Sequence, residues 1–260
     1  MPVEAIRIKR IGIAGIGLDT WKSSIPILRG DLPYQPEPMP ALSSHLLPAN
    51  EWRRASKTIR LALRAAQDAI GDVDGSSVAT VFASSDGDSD IVDKICASLV
   101  MPQRPVSPTL FHNSVHNAPA GCWAIATGSM APSSSLSARE GSFAACLLDG
   151  ISQALAEARE VLVVAYDEPP PPALARGSNA TQAFACALLL SPETGSSAIR
   201  VSLAEKSQES TMPQPALERL RLSAPAARSL PLLASLAQDR STELCLPYLD
   251  DCMLAVCLEC

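Results

Sequence analysis

The chain is short of histidine: it has three in 260 residues, His45, His112 and His116, and none beyond them. A relay between a cysteine and a histidine drawn from the C-terminal half is therefore not written in it. Aromatic residues make up only 4%, so the core must be built by helices packed closely through small side chains. There is no basic excess: the formal net charge is −6 and the pI about 5.1, which argues against a nucleic-acid binder. No apolar run approaches the ~18 residues of a membrane span. Met1–Arg10 is charged and strand-like without an apolar signal core, so a cytoplasmic protein is expected. The eight cysteines lie scattered in apolar runs and read as reduced core residues. A structural zinc site pairs two C-x-x-C knuckles, and this chain has one, Cys257–Cys260. Asp86-Gly-Asp-Ser-Asp90 lacks the downstream glutamate of a calcium loop. Gly12, Gly15 and Gly17 do not have the dinucleotide spacing, and Pro26 with the proline-rich 31–48 loop argues against a following helix. No cofactor and no metal are expected.

What is present is a foldable core, 47% hydrophobic and 18% charged. Strands are expected at 6–18, 77–84, 133–138, 161–166, 182–190, 199–204 and 252–258. Helices are expected at 51–70, 91–99, from about 110 to 127, and at 141–156, 217–222 and 228–238. The alternation up to residue 168 predicts an α/β fold with a mixed sheet. On the 51–70 helix, Arg53, Lys57, Arg60 and Arg64 form a basic stripe, either a solvated face or a dock for an acidic partner. Ser107–Gly121, S-P-T-L-F-H-N-S-V-H-N-A-P-A-G, holds His112 and His116 at i, i+4, one helical face. They read as hydrogen-bonded core or interface histidines or as a metal pair with no third ligand nearby.

Several stretches resemble the N-terminal half of a β-ketoacyl synthase, a condensing enzyme of the thiolase fold. Ile11–Gly17 is similar to the first family strand, and Arg53–Ala66 to the arginine-rich helix after it. Ser107-Pro108 and Asn117-Ala-Pro-Ala-Gly121 resemble motifs of the third helix, and Gly128 with Pro132 a later one. The wording around His112 and His116 is similar to chain-length-factor-like partners of ketosynthases that make aryl polyene or xanthomonadin-type pigments. The resemblance covers about residues 6–190. It implies a thiolase-like half-fold, a mixed five-stranded sheet with helices, over residues 1–205, with 206–260 as a short extension on the same core.

In that family a cysteine opens the helix after the 133–138 strand, where the helix terminus stabilises a thiolate. Here the position is Glu140, which forms no thioester and is suited to capping the helix or pairing with Arg139 or a partner group. Cys146, further along, reads as a core thiol. The family's two histidines from the second half have no counterpart. The resemblance thus implies no catalytic residue, and a non-catalytic subunit paired with a full-length ketosynthase and served by an acyl carrier protein. Phe111, His112, Val115, His116, Asn117, Gly121, Ser134 and Ala138 would line the interface or the acyl tunnel, and Arg53, Lys57, Arg60 and Arg64 would dock the carrier. The alternatives are a stand-alone acyl-thioester enzyme using Cys146 or Ser142, and a carrier-binding module.

Overall fold

The computed structural model describes residues 4–40, 46–175 and 180–260; His45 lies outside them. In order come β1 (Ile6–Gly15), α1 (Trp21–Arg29), α2 (Ala49–Arg54), α3 (Lys57–Ile70), β2 (Ala79–Ala83), α4 (Ser89–Leu99), α5 (Pro108–Asn113), α6 (Ala118–Thr127), β3 (Ser133–Leu136), α7 (Ser142–Glu157), β4 (Val161–Asp167), β5 (Phe184–Ser191), β6 (Ser197–Glu205), α8 (Pro215–Ser223), α9 (Leu230–Ala237), β7 (Thr242–Leu249) and β8 (Cys252–Glu259). Single 3-10 turns at Arg139–Gly141 and Pro225–Ser229 lead into α7 and α9.

All the strands join one mixed sheet, in the order β3-β2-β4-β5-β1-β6-β8-β7. β2, β3 and β4 run parallel, and every other pairing is antiparallel. The expected mixed sheet with helices is present, but it has eight strands among the described residues rather than five. The additional strands are β6 and the β7–β8 hairpin. β7 escaped the sequence reading because Pro247 lies in it; it is an edge strand, where a missing N–H breaks no ladder.

Every residue of β4 and β5 is buried, because helices cover both faces. Alternate residues face opposite ways. Leu162, Val164 and Tyr166 of β4 meet α3 and α6 through Ile59, Ala62 and Trp123. Val161, Val163 and Ala165 meet α7 and α9 through Phe143, Leu147 and Leu230. Gly12 of β1 is what lets α3 lie so close: a Cβ there would stand 2.1 Å from the Ala65 carbonyl oxygen. Beyond β1 the sheet is covered on one face only, and β6 and β8 alternate between buried and half-exposed residues.

Local chemistry sets the breaks that periodicity did not reveal. The expected 51–70 helix is two, because Ala55 is extended and Ser56 caps α3 by accepting from the Ile59 N–H at 3.2 Å. A helix does follow β1, against expectation: Thr20 and Ser23 form a capping box that starts α1, and Pro26 is carried inside it. The expected 110–127 helix is interrupted at residues 114–117, with Pro119 in the first turn of α6. Cys146 and Cys186 are core thiols as expected, whereas the other six are half-buried or exposed.

Candidate functional site at the strand–helix elbow

The parallel strands β2, β3 and β4 deliver their C-terminal ends to one side of the sheet, where α/β folds place ligands. The loop out of β3 makes the elbow. Arg139 takes a left-handed backbone (φ 51°) and Glu140 follows it at the mouth of α7. Ser142 holds the bend: its hydroxyl donates to the Arg139 carbonyl (2.7 Å) and accepts from the Ala138 N–H (3.1 Å). Gly141 packs on the β7 backbone so closely that a Cβ would stand 2.0 Å from the Tyr248 carbonyl oxygen. Residues 137–141 and 247–251 enclose an open cavity of about 670 Å³.

Glu140 pairs across the fold with Arg228. Its carboxylate accepts from Arg228 Nη2 at 2.7 Å and Nε at 3.1 Å. Arg228 sits in the Pro225–Ser229 turn with only 11% of its side chain exposed, and it also lies 3.6 Å from Glu209. Glu209 in turn pairs with the buried Arg221, which forks onto Glu218. The elbow is thereby tied to the C-terminal segment by a chain of alternating charges.

A second anchor fixes the same turn. Asp167, at the end of β4, accepts from the Ser85 N–H (2.8 Å), the Ser84 hydroxyl (3.2 Å) and the Ala226 N–H (2.7 Å). Burial pushes its pKa up to about 7 in spite of these donors. Burial likewise lifts the neighbouring Glu168 to about 7, with Lys57 opposing. Arg228 and Asp167 were missed in the sequence. Asp167 left a faint signal, an acid closing a wholly apolar strand; Arg228 left none, lying 88 positions from its partner.

The two histidines do not share a helix face. His112 is on α5 and exposed, whereas His116 lies in the turn before α6. A His116 Nε2 to Leu136 carbonyl contact of 2.9 Å ties the β3 end to that turn. Among the described residues no cluster of three or more His, Cys, Asp or Glu side chains could hold a metal. Asn113 is buried and donates to the Arg54 carbonyl, joining α5 to α2. Phe111 and Val115 stand out into solvent, 69% and 53% exposed. Asn117 and Gly121 are exposed, and Ser134 and Ala138 half-buried. Ala120 points into the core instead.

Nor does the basic stripe form one free face. Arg60 donates to the Trp52 carbonyl (2.8 Å) and stacks over that ring, and Arg64 pairs with Asp19 at 3.0 Å. Arg53 and Lys57 remain exposed. Cys146 is buried, contacts the Val81 carbonyl at 3.4 Å, and has its pKa driven up by burial.

The fold and the elbow define a thiolase-like condensing-enzyme architecture in which a carboxylate occupies the elbow. The family profile described as beta-ketoacyl synthase, N-terminal domain matches residues 28–248, and the chain belongs to that family. Among solved structures, it is similar to a chain of the ketosynthase (ApeO) in complex with its chain length factor (ApeC) from Xenorhabdus doucetiae, at 24% identity and a TM-score of 0.75, covering 97% of this chain and 99% of that one. The ishigamide ketosynthase/chain length factor matches at 13% identity and a TM-score of 0.75, over 98% and 99% of the two chains. A beta-ketoacyl synthase from Burkholderia phymatum STM815 matches at 15% identity and a TM-score of 0.60, over 92% and 71%. A search of the curated proteins matched nothing.

Proposed function

We propose that this chain is a non-catalytic, chain-length-factor-like partner of a β-ketoacyl-[acyl carrier protein] synthase, and that it shapes the acyl tunnel where the two subunits meet. The observation that carries the reading is Glu140. A carboxylate held by Arg228 stands at the elbow, where the family resemblance places a nucleophilic cysteine, and it can form no thioester. The similar solved structures named as ketosynthase and chain length factor complexes support the pairing. A structure named as an acyl-carrier protein in complex with its ketosynthase, also similar to this chain at a TM-score of 0.70 and 11% identity, supports a carrier protein as the source of acyl groups.

Two surfaces support an interface. β3 ends the sheet with one edge unpaired among the described residues, and its Ser134 has a small side chain that lets another backbone approach. Phe111 and Val115 expose apolar side chains, which in this reading the partner covers. In this reading His112, His116, Asn117, Gly121 and Ala138 border the same interface, and Arg53 and Lys57 are the carrier-docking residues still free to act. Residues 1–205 form the ketosynthase-like unit, and 206–260 fold onto it through β7, β8 and the Arg228 and Arg221 pairs. The stand-alone enzyme reading loses support from the burial of Cys146 and from the commitment of the Ser142 hydroxyl to the elbow backbone.

The test is co-expression with a ketosynthase and separate assay of the parts. The chain alone, given malonyl- and acyl-carrier protein, is expected to show no turnover and no covalent acyl adduct by intact mass. The co-purified pair is expected to elongate. Adduct formation or turnover by the isolated chain would overturn the proposal.

A further inference from the structure

Cys245 and Cys257 stand on one face of the β7–β8 hairpin. Glu243 lies opposite Cys257 and Cys245 opposite Ala255, so the two thiols are diagonal neighbours on paired strands. Both are free and half-buried, and both line one open cavity of about 650 Å³. Each has a polar neighbour. The Ser207 hydroxyl lies 3.0 Å from Cys245 Sγ. Arg200 of β6 is directly opposite Cys257, and its guanidinium reaches that thiol as well as Glu259.

Distance decides what two thiols so placed can do. Diagonal neighbours on paired strands stand about 7–8 Å apart, with Cβ atoms somewhat closer. A disulfide wants Cα atoms within about 6.8 Å, so the pair is too wide for one without backbone movement. One ion held between two thiolates spans about 4.6 Å from sulfur to sulfur, twice a metal–thiolate bond of about 2.3 Å. Two cysteine side chains turned towards each other across the diagonal cover that span. Zinc asks for four ligands, and besides the thiols the cavity offers one carboxylate, Glu243. Monovalent copper is soft, selects thiolates, and is content with two. Such a site needs no third ligand, in keeping with the lack, among the described residues, of any three-membered His, Cys, Asp or Glu cluster able to hold a metal.

We propose that Cys245 and Cys257 form a two-coordinate thiolate site for Cu(I). The ion displaces the two thiol protons, which pass to solvent, and copper stays monovalent throughout. The bis-thiolate complex carries one net negative charge, which Arg200 and a hydrogen bond donated by Ser207 are placed to meet. The open cavity gives the ion its way in. β7 and β8 lie at the opposite end of the sheet from β3, so the site does not rest on the proposed ketosynthase pairing.

The experiment titrates the full chain, reduced and kept free of oxygen, with Cu(I) held by bicinchoninate, whose colour fades as the protein takes the ion. One equivalent is expected to be withdrawn, more tightly as pH rises because protons are released. X-ray absorption at the copper edge of the wild-type complex is expected to show two sulfur ligands. Cys245→Ser and Cys257→Ser are each expected to weaken uptake by more than about a hundredfold, and Ser207→Ala by about tenfold, the cost of an outer contact. Cys96→Ser and Cys260→Ser are expected to change nothing, and thermal melts show whether each variant is folded. No withdrawal of copper by the wild type would overturn the proposal, as would any ligand set other than two sulfurs. Unchanged uptake in a folded Cys245→Ser variant, or its loss in Cys260→Ser, would overturn it as well, the latter placing the ion on the Cys257–Cys260 knuckle instead.

Discussion

Replacing Glu140 by alanine tests the elbow most directly. The change deletes the carboxylate that takes two hydrogen bonds from Arg228 and leaves the backbone free to keep its course, since Ser142 and Arg139 hold the bend. A wholly buried ion pair broken from one side costs about 3–5 kcal/mol, and a solvent-exposed one about 0–1 kcal/mol. This pair lies between: the Arg228 side chain is 11% exposed and that of Glu140 35%. Arg228 also keeps Glu209 at 3.6 Å. A loss of about 2 kcal/mol is therefore expected, which for a chain of this size lowers Tm by about 4–8 °C. Glu140→Gln keeps an acceptor for Arg228 and should lose less. A double-mutant cycle with Arg228→Met isolates the pair, with a coupling of about 1–2 kcal/mol expected from thermal or urea melts. A Tm within about 1 °C of wild type for Glu140→Ala, or a coupling near zero, would refute the assignment of Glu140 as the tie between the elbow and the C-terminal segment.

Asp167 predicts a pH dependence. Its folded-state pKa is raised to about 7 from an ordinary 3.8, so the folded chain holds the proton that the unfolded chain releases. Its contribution is fully present below about pH 4 and is lost as pH rises towards 7, by up to about 4 kcal/mol. The stability difference between wild type and Asp167→Asn should therefore shift against the wild type across that window in urea titrations; a flat difference contradicts it. Val115→Trp, at an exposed position, should leave the melting temperature of the chain unchanged and shorten the products of the ketosynthase complex, read by mass spectrometry. Unchanged product length with intact assembly counts against a tunnel role. Ser134→Asp places an unpaired charge on the β3 edge and should abolish co-purification with the ketosynthase; retained pairing means the interface lies elsewhere.

How far the chain could be read depended on the range of the interaction. Apolar runs such as Val161–Asp167 and Phe184–Ser191 announce strands buried on both faces, because only a covered sheet tolerates them. The stripe of Ile59, Ala62, Ala66 and Ile70 announces α3 in the same way. The family motifs and the carboxylate at position 140 were also legible, being local strings. Less legible were the chain breaks at Ala55 and residues 114–117, which depend on a cap or a proline overriding continuous periodicity.

The sequence alone thus determined the mixed α/β class, the absence of any histidine beyond position 116 and the presence of Glu140 after β3. Only the tertiary structure decided what these residues meet. It separated His112 from His116, spent Arg60 and Arg64 on neighbours, and placed Arg228 against Glu140 across 88 positions. It also carried the C-terminal segment onto the sheet as β7 and β8. Periodicity records which face of an element is apolar, and that is a local property of the string. Which charges pair depends on how far the sheet extends and twists before the chain returns, and that is settled only when the whole core packs.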